Sequence, residues 1–128
     1  RYEEAEPLSQ RALAIAEQAL GQDHPATGTY LNNLALLLEA MGRYEEAEPL
    51  SQRALAIAEQ ALGQDHPDTG AHLNNLATLL GAMGRYEEAE PLYRRALAIT
   101  EQALGKDHPT TKTIEQNLKA LLQQKARE

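Results

Sequence analysis

"RYEEAEPLSQRALAIAEQALGQDHP" occupies residues 1–25 and recurs letter for letter at residues 43–67. A third version, "RYEEAEPLYRRALAITEQALGKDHP", fills residues 85–109. The copies start at 1, 43 and 85, so the period is 42 residues. The intervening text repeats as well. "LNNLALLLEAMG" at 31–42 returns as "LNNLATLLGAMG" at 73–84, and then in altered form as "EQNLKALLQQKA" at 115–126. A fixed period of this length marks a repeat architecture, in which each unit buries its apolar face only against its neighbours. Near-identity over such lengths reflects either recent duplication or deliberate design.

Two helical segments fit in each period. The first is expected from about Pro25 to Ala40. His24-Pro25 is a start signal, because proline suits the first helical turn, where its missing N–H costs nothing. Leu31, Leu34, Leu37 and Leu38 then recur at steps of three and four, one apolar stripe on a 3.6-residue helix. Gly42 ends the segment as a left-handed terminator. The second helix is expected over Tyr44 to Leu62. Glu45, Glu46 and Glu48 fill its opening turns, where the helix dipole favours acids. Tyr44, Ala47, Leu50, Ala54, Ile57, Ala58 and Ala61 form its predicted buried stripe, and Gly63 stops it. Pro49 lies too deep in this helix to be free of cost, so a kink is expected there, and likewise at Pro7 and Pro91. Ala35, Ala47 and Ala54 stand where two helices of a hairpin press closest, and larger side chains would pry them apart.

Composition agrees. The chain of 128 residues contains 22 Ala and 21 Leu but no Val, Phe, Trp or Cys, which favours helix over strand. Without cysteine there is no disulfide framework and no thiolate metal site. No apolar run of about 18 residues exists, so no membrane span is expected. The formal charge of −7 argues against a nucleic-acid surface. All four lysines fall after residue 105, so the last helix differs in kind from the rest. No signal peptide is visible, and a cytoplasmic location is the expectation.

The stretch "LNNLALLLEAMGRYEEA" at 31–47 resembles the tetratricopeptide repeat: a large apolar residue, a Leu-Ala pair, then Gly-x-Tyr-x-x-Ala. The period and the "GQDHP" connector look like the 42-residue subclass of kinesin light chains. Leu31 and Leu73 stand where shorter repeats carry Trp or Tyr, a position that asks only for bulk. The resemblance implies an all-α, right-handed superhelical solenoid of helix hairpins, with first (A) helices lining the concave side and second (B) helices outside. The chain then reads as a single array of six helices: B 2–20, A 25–40, B 44–62, A 67–82, B 86–104 and A 109–126. It comprises a half repeat at 1–24, full repeats at 25–66 and 67–108, and a capping helix at 109–128.

The altered phrase follows from that arrangement. Leu31 and Leu73 become Glu115, Ala35 and Ala77 become Lys119, and Gly28 and Gly70 become Lys112. Leu34, Leu37 and Leu38 are kept as Leu118, Leu121 and Leu122. The lost positions are those that face the B helix of the same hairpin, so the last helix is written as a solvated cap and a true end of the array. At the other end the opening B helix keeps the interior sequence, with Tyr2, Ala5, Leu8, Ala12 and Ile15 on a stripe that lacks its A helix. Self-association through that stripe is expected, side by side or head to tail, the latter favoured weakly by the acidic body and basic last helix.

Asn32, Asn33, Asn74, Asn75, Thr78 and Asn117 are the candidate ligand residues. The resemblance places them toward the concave groove, where side-chain amides can bracket the peptide bonds of an extended segment. The same asparagines could instead bond one another between A helices. No Lys or Arg lies near them on the first two A helices, which disfavours a clamp for a terminal carboxylate. Each of the Asp-His pairs ending at His24, His66 and His108 is one repeat from the next, too far to converge on a metal, and their role is loop geometry. His72 replaces Tyr30 and reads as a lone surface residue. Adjacent Glu45 and Glu46 diverge on a helix, and no nucleophile is placed for catalysis. The function expected is a non-enzymatic scaffold binding protein or peptide, with no cofactor; the alternative is a structural, self-assembling or consensus-designed repeat element without a ligand.

Overall fold

Proline starts and glycine stops set the helix ends. In a computed structural model describing residues 1–128, α1 spans Tyr2–Leu20, α2 Pro25–Ala40, α3 Tyr44–Leu62, α4 Pro67–Ala82, α5 Tyr86–Leu104 and α6 Pro109–Arg127, with no strand. Five of the six agree with the sequence expectation to the residue, and α6 runs one residue longer. Pro25, Pro67 and Pro109 each open a helix. Ahead of each proline a histidine caps the helix: Nδ1 of His24, His66 and His108 accepts from the backbone N–H of Ala26, Asp68 and Thr110 at 3.0, 3.0 and 3.1 Å. The "DHP" connector therefore does more than turn the chain, since it satisfies an otherwise orphaned donor at each start.

Two kinds of glycine end the helices. Gly42 and Gly84 adopt φ of 77° and 78°. At the first, Arg43 N–H reaches back to Leu38 O at 2.8 Å and Gly42 N–H to Glu39 O at 2.9 Å, the double bond pattern of a Schellman terminator. At the matching place α6 has Ala126, and without glycine the helix simply continues to Arg127. The helices also continue through Pro7, Pro49 and Pro91, so the prolines do not break them.

The chain forms two compact units, Arg1–Gln64 and Asp65–Glu128. In the first, α2 packs on both α1 and α3. Its centre is Leu31, Ala54 and Ile57, at 0, 0 and 5% exposure, with Leu13 and Leu50 packed against them. The α2–α3 crossing is close because Gly28 faces α3: a Cβ there would lie 3.4 Å from Ile57 Cγ2 and 3.6 Å from Ala54 O. Ala35, Ala47 and Ala54 are buried, as expected for the closest approach. Ala61 of the predicted stripe is exposed, because the stripe drifts off the contact face at the end of α3. Ion pairs tie α1 to the rest: Glu6 to Arg43 at 2.6 Å and Glu17 to Arg53 at 3.0 Å, with Arg53 also donating to Gln22 O at 3.3 Å.

In the second unit α5 packs on α4 and α6. Leu73, Ala77, Ala89 and Ala96 are fully shielded at the α4–α5 crossing. From α6, Thr111, Ile114, Leu118 and Leu121 are buried, whereas Lys112, Glu115 and Lys119 are exposed. The retained leucines thus pack inward and the substituted positions meet water, as the comparison of the three copies required. Lys125 on the extended end of α6 bonds Glu90 at 3.2 Å. Glu90 holds the position of Glu6 in its repeat, so the prolonged helix supplies a cation where the first unit uses Arg43.

Candidate functional site

The asparagines sit beside the apolar stripe of the A helices. On α2, Asn32 is buried and Asn33 exposed; on α4, Asn74 and Asn75 are half-buried, as is Asn117 on α6. Around them Thr29 and Leu36 on α2 and Ala71 on α4 are exposed. In the second unit the structure brings two of these amides together: Asn117 Nδ2 donates to Asn74 Oδ1 at 3.1 Å. That bond spans a full period of the chain and cross-links α6 to α4. Each amide carries two donors and an acceptor, so the pair retains hydrogen-bonding capacity beyond its mutual bond.

Thr78, expected to face a ligand, is engaged internally. Its hydroxyl donates to Asn74 O at 2.9 Å and lies 2.7 Å from the Tyr93 hydroxyl. Since the Thr78 proton is used on the carbonyl, Tyr93 is the donor to Thr78. Tyr93 is 4% exposed and replaces the serine found at positions 9 and 51. Thr78 replaces Leu36, and so one hydrogen-bonded pair in the second unit stands where the first unit has Leu36 and Ser51. Thr78 by itself does not reveal this bond; the signal is that Tyr93 departs from the repeat in the same unit.

His72 corrects another expectation. It is half-buried, not a surface residue, and its Nδ1 is shielded without a hydrogen-bond partner. At helical spacing it lies between buried Thr69 and Leu76, along the inward side of α4. Burial holds its imidazolium below the usual pKa, partly offset by Asp68. The folded protein therefore resists protonation that the unfolded chain accepts near pH 6.5. Stability contributed by neutral His72 is present above that pH and lost as pH falls toward the depressed folded value. Urea midpoints at pH 7.5 and 5.0 are expected to differ less in His72→Tyr, which carries the residue of position 30, than in the parent. Equal pH dependence in both would remove this assignment.

A profile of the tetratricopeptide repeat family matches residues 1–60, 28–102 and 68–128, together the whole chain. The chain belongs to the tetratricopeptide repeat family. Among solved structures it is similar to a kinesin light chain-like protein of Podosopora anserina with nearly identical repeats, at 29% identity and a TM-score of 0.88 over 95% of this chain and 58% of that one. A point variant of that protein gives 28% and 0.86 over 94% and 57%. BtubC (BKLC) from P. vanneervenii gives 26% and 0.85 over 96% and 49%. The chain thus spans about half the length of these relatives. No curated protein matches it closely enough to count as a relative. The expected kinesin light chain-like repeat is the one found, and its helices carry the family's hairpin order. No helix is long and apolar enough to cross a membrane.

Proposed function

We propose that this tetratricopeptide chain is an interaction scaffold in which the A helices of each unit, α2 in the first and α4 with α6 in the second, offer an asparagine-bearing side to an extended, largely uncharged peptide segment. The observation that carries the reading is the Asn117–Asn74 pair, which keeps side-chain amides aligned on one side of α4 and α6, next to Asn75. In the first unit α2 presents Asn33 with Thr29 and Leu36 on its exposed side. Neither α2 nor α4 carries a lysine or arginine, so peptide bonds and apolar side chains suit this surface better than a terminal carboxylate. Family membership supports protein binding in general; the peptide and its path are the proposal.

The test is a panel of uncharged ten-residue peptides screened by fluorescence anisotropy against the parent and an Asn33→Ala/Asn75→Ala variant. Sequences that bind the parent are expected to lose about tenfold, the net worth of one good hydrogen bond. Unchanged binding to the variant, or no binding to the parent, would refute the reading. The second outcome would favour the structural alternative, for which the same Asn117–Asn74 bond is evidence as a cross-link between helices.

A further inference from the structure

Glu39 is the only charged residue of α2. It stands in the last turn, half-buried, with exposed Leu36 one turn before it and exposed Ala40 beside it. Asn32 lies two turns before it on the same side of the helix. The Glu39 carboxylate makes no hydrogen bond or ion pair. Arg43, the nearest basic residue along the chain, is held by Glu6 at 2.6 Å and Glu46 at 2.8 Å. Burial raises the Glu39 pKa above the ordinary glutamate value, and no neighbouring charge offsets the rise. A negative charge near a helix C-terminus is also unfavourable, because the carbonyl end of the dipole lies there.

The fold does not need this charge. The same place is Gly81 in α4 and Gln123 in α6, and both helices form without it. An unpaired, partly desolvated carboxylate costs free energy where the repeat accepts glycine or glutamine. What the group lacks is a cation.

We propose that Glu39 is a specificity-determining residue of the first unit, taking the guanidinium of an arginine in the extended segment laid along α2. This rests on the reading that α2 receives such a segment, and it adds one basic residue to a ligand otherwise uncharged. A metal ion does not fit, since calcium or magnesium needs several oxygens and no three acidic or histidine side chains come together to hold one. Arginine suits the place better than lysine. Its stem can lie on Leu36, 43% exposed, while its planar head offers two parallel donors and is more weakly hydrated than an ammonium. Asn33 and Glu39 are about 9 Å apart along the helix axis, or two to three residues of extended chain. The arginine therefore belongs within about three residues of the peptide bond that Asn33 holds.

The test uses the ten-residue peptides of the anisotropy panel in matched pairs. One member carries a single arginine, stepped along the peptide, and its twin carries citrulline, the neutral isostere, at the same place. Arginine members are expected to bind the parent about tenfold more tightly than their twins at low salt, the advantage shrinking as salt is added. In Glu39→Gln, which carries the residue of position 123, the twins are expected to bind alike. Glu45→Gln removes the same formal charge from an exposed place on α3 and is expected to keep the arginine advantage. The urea midpoint of Glu39→Gln without peptide is expected to equal or exceed the parent's. The Asn33→Ala/Asn75→Ala variant is expected to weaken both twins alike, so the two readings fail separately. Equal binding of the twins to the parent, or an equal loss of the advantage in Glu45→Gln, would overturn this proposal and leave the asparagine reading standing. A midpoint of Glu39→Gln below the parent's would make the carboxylate structural and overturn it as well. An arginine advantage that needs Glu39 but ignores the asparagine change would uphold the proposal and remove the asparagine reading. No binding by any member would overturn both.

Discussion

Leu31→Glu is expected to unfold the first unit, while Glu115→Leu leaves stability within about 0.5 kcal/mol of the parent. The two changes are the same exchange run in opposite directions at equivalent places of α2 and α6. Leu31 is fully shielded among Ala54, Ile57, Leu13 and Leu50. Truncating a leucine in such a site costs about 2–5 kcal/mol. A carboxylate adds several more kcal/mol, because no cation is available to pair with it among these residues. The total approaches the whole stability of a small domain, about 5–15 kcal/mol. Glu115 by contrast is exposed on a helix whose inward face is intact, so leucine there changes solubility before stability. Urea titration followed by circular dichroism measures both. A Leu31→Glu protein with a parental midpoint would mean that α2 does not lie between α1 and α3.

The second large effect is at Tyr93. Replacing it with serine restores the residue that the chain itself carries at 9 and 51, yet a loss of about 3–5 kcal/mol is expected, the range for truncating a buried aromatic ring. Tyr93 is 4% exposed and its hydroxyl is bonded to Thr78. Tyr93→Phe keeps the ring and loses only the bond, about 1 kcal/mol. Adding Thr78→Leu to Tyr93→Ser is expected to recover little, because Leu36 at the matching place is 43% exposed and fills no interior space. If Tyr93→Ser cost no more than Tyr93→Phe, the ring would have no packing role and the pair would be polar decoration.

These two cases mark where sequence reading succeeds and stops. That α6 turns its substituted positions to water was legible, because the three copies can be laid over one another and the substitutions fall on one helical face. That Thr78 is bonded to Tyr93 was not legible, since a single threonine among apolar residues reads equally as ligand-facing or internal. His72 misled for a related reason: histidine is polar, but a helix places residue 72 beside 69 and 76, and those two are buried. The asparagines show both sides, as the ladder between A helices was one of two readings and Asn117–Asn74 realises it in the second unit.

Helix starts and stops were determined by sequence alone, because a proline in the first turn, a glycine with positive φ and the spacing of leucines act within a few residues of themselves. Burial was not. Ile15 and Ile57 sit in identical 19-residue helices, yet one is 58% exposed and the other 5%. No local rule can separate two identical strings. The difference lies in α2, which lays its glycine and leucine on one of them and presents another side to its twin.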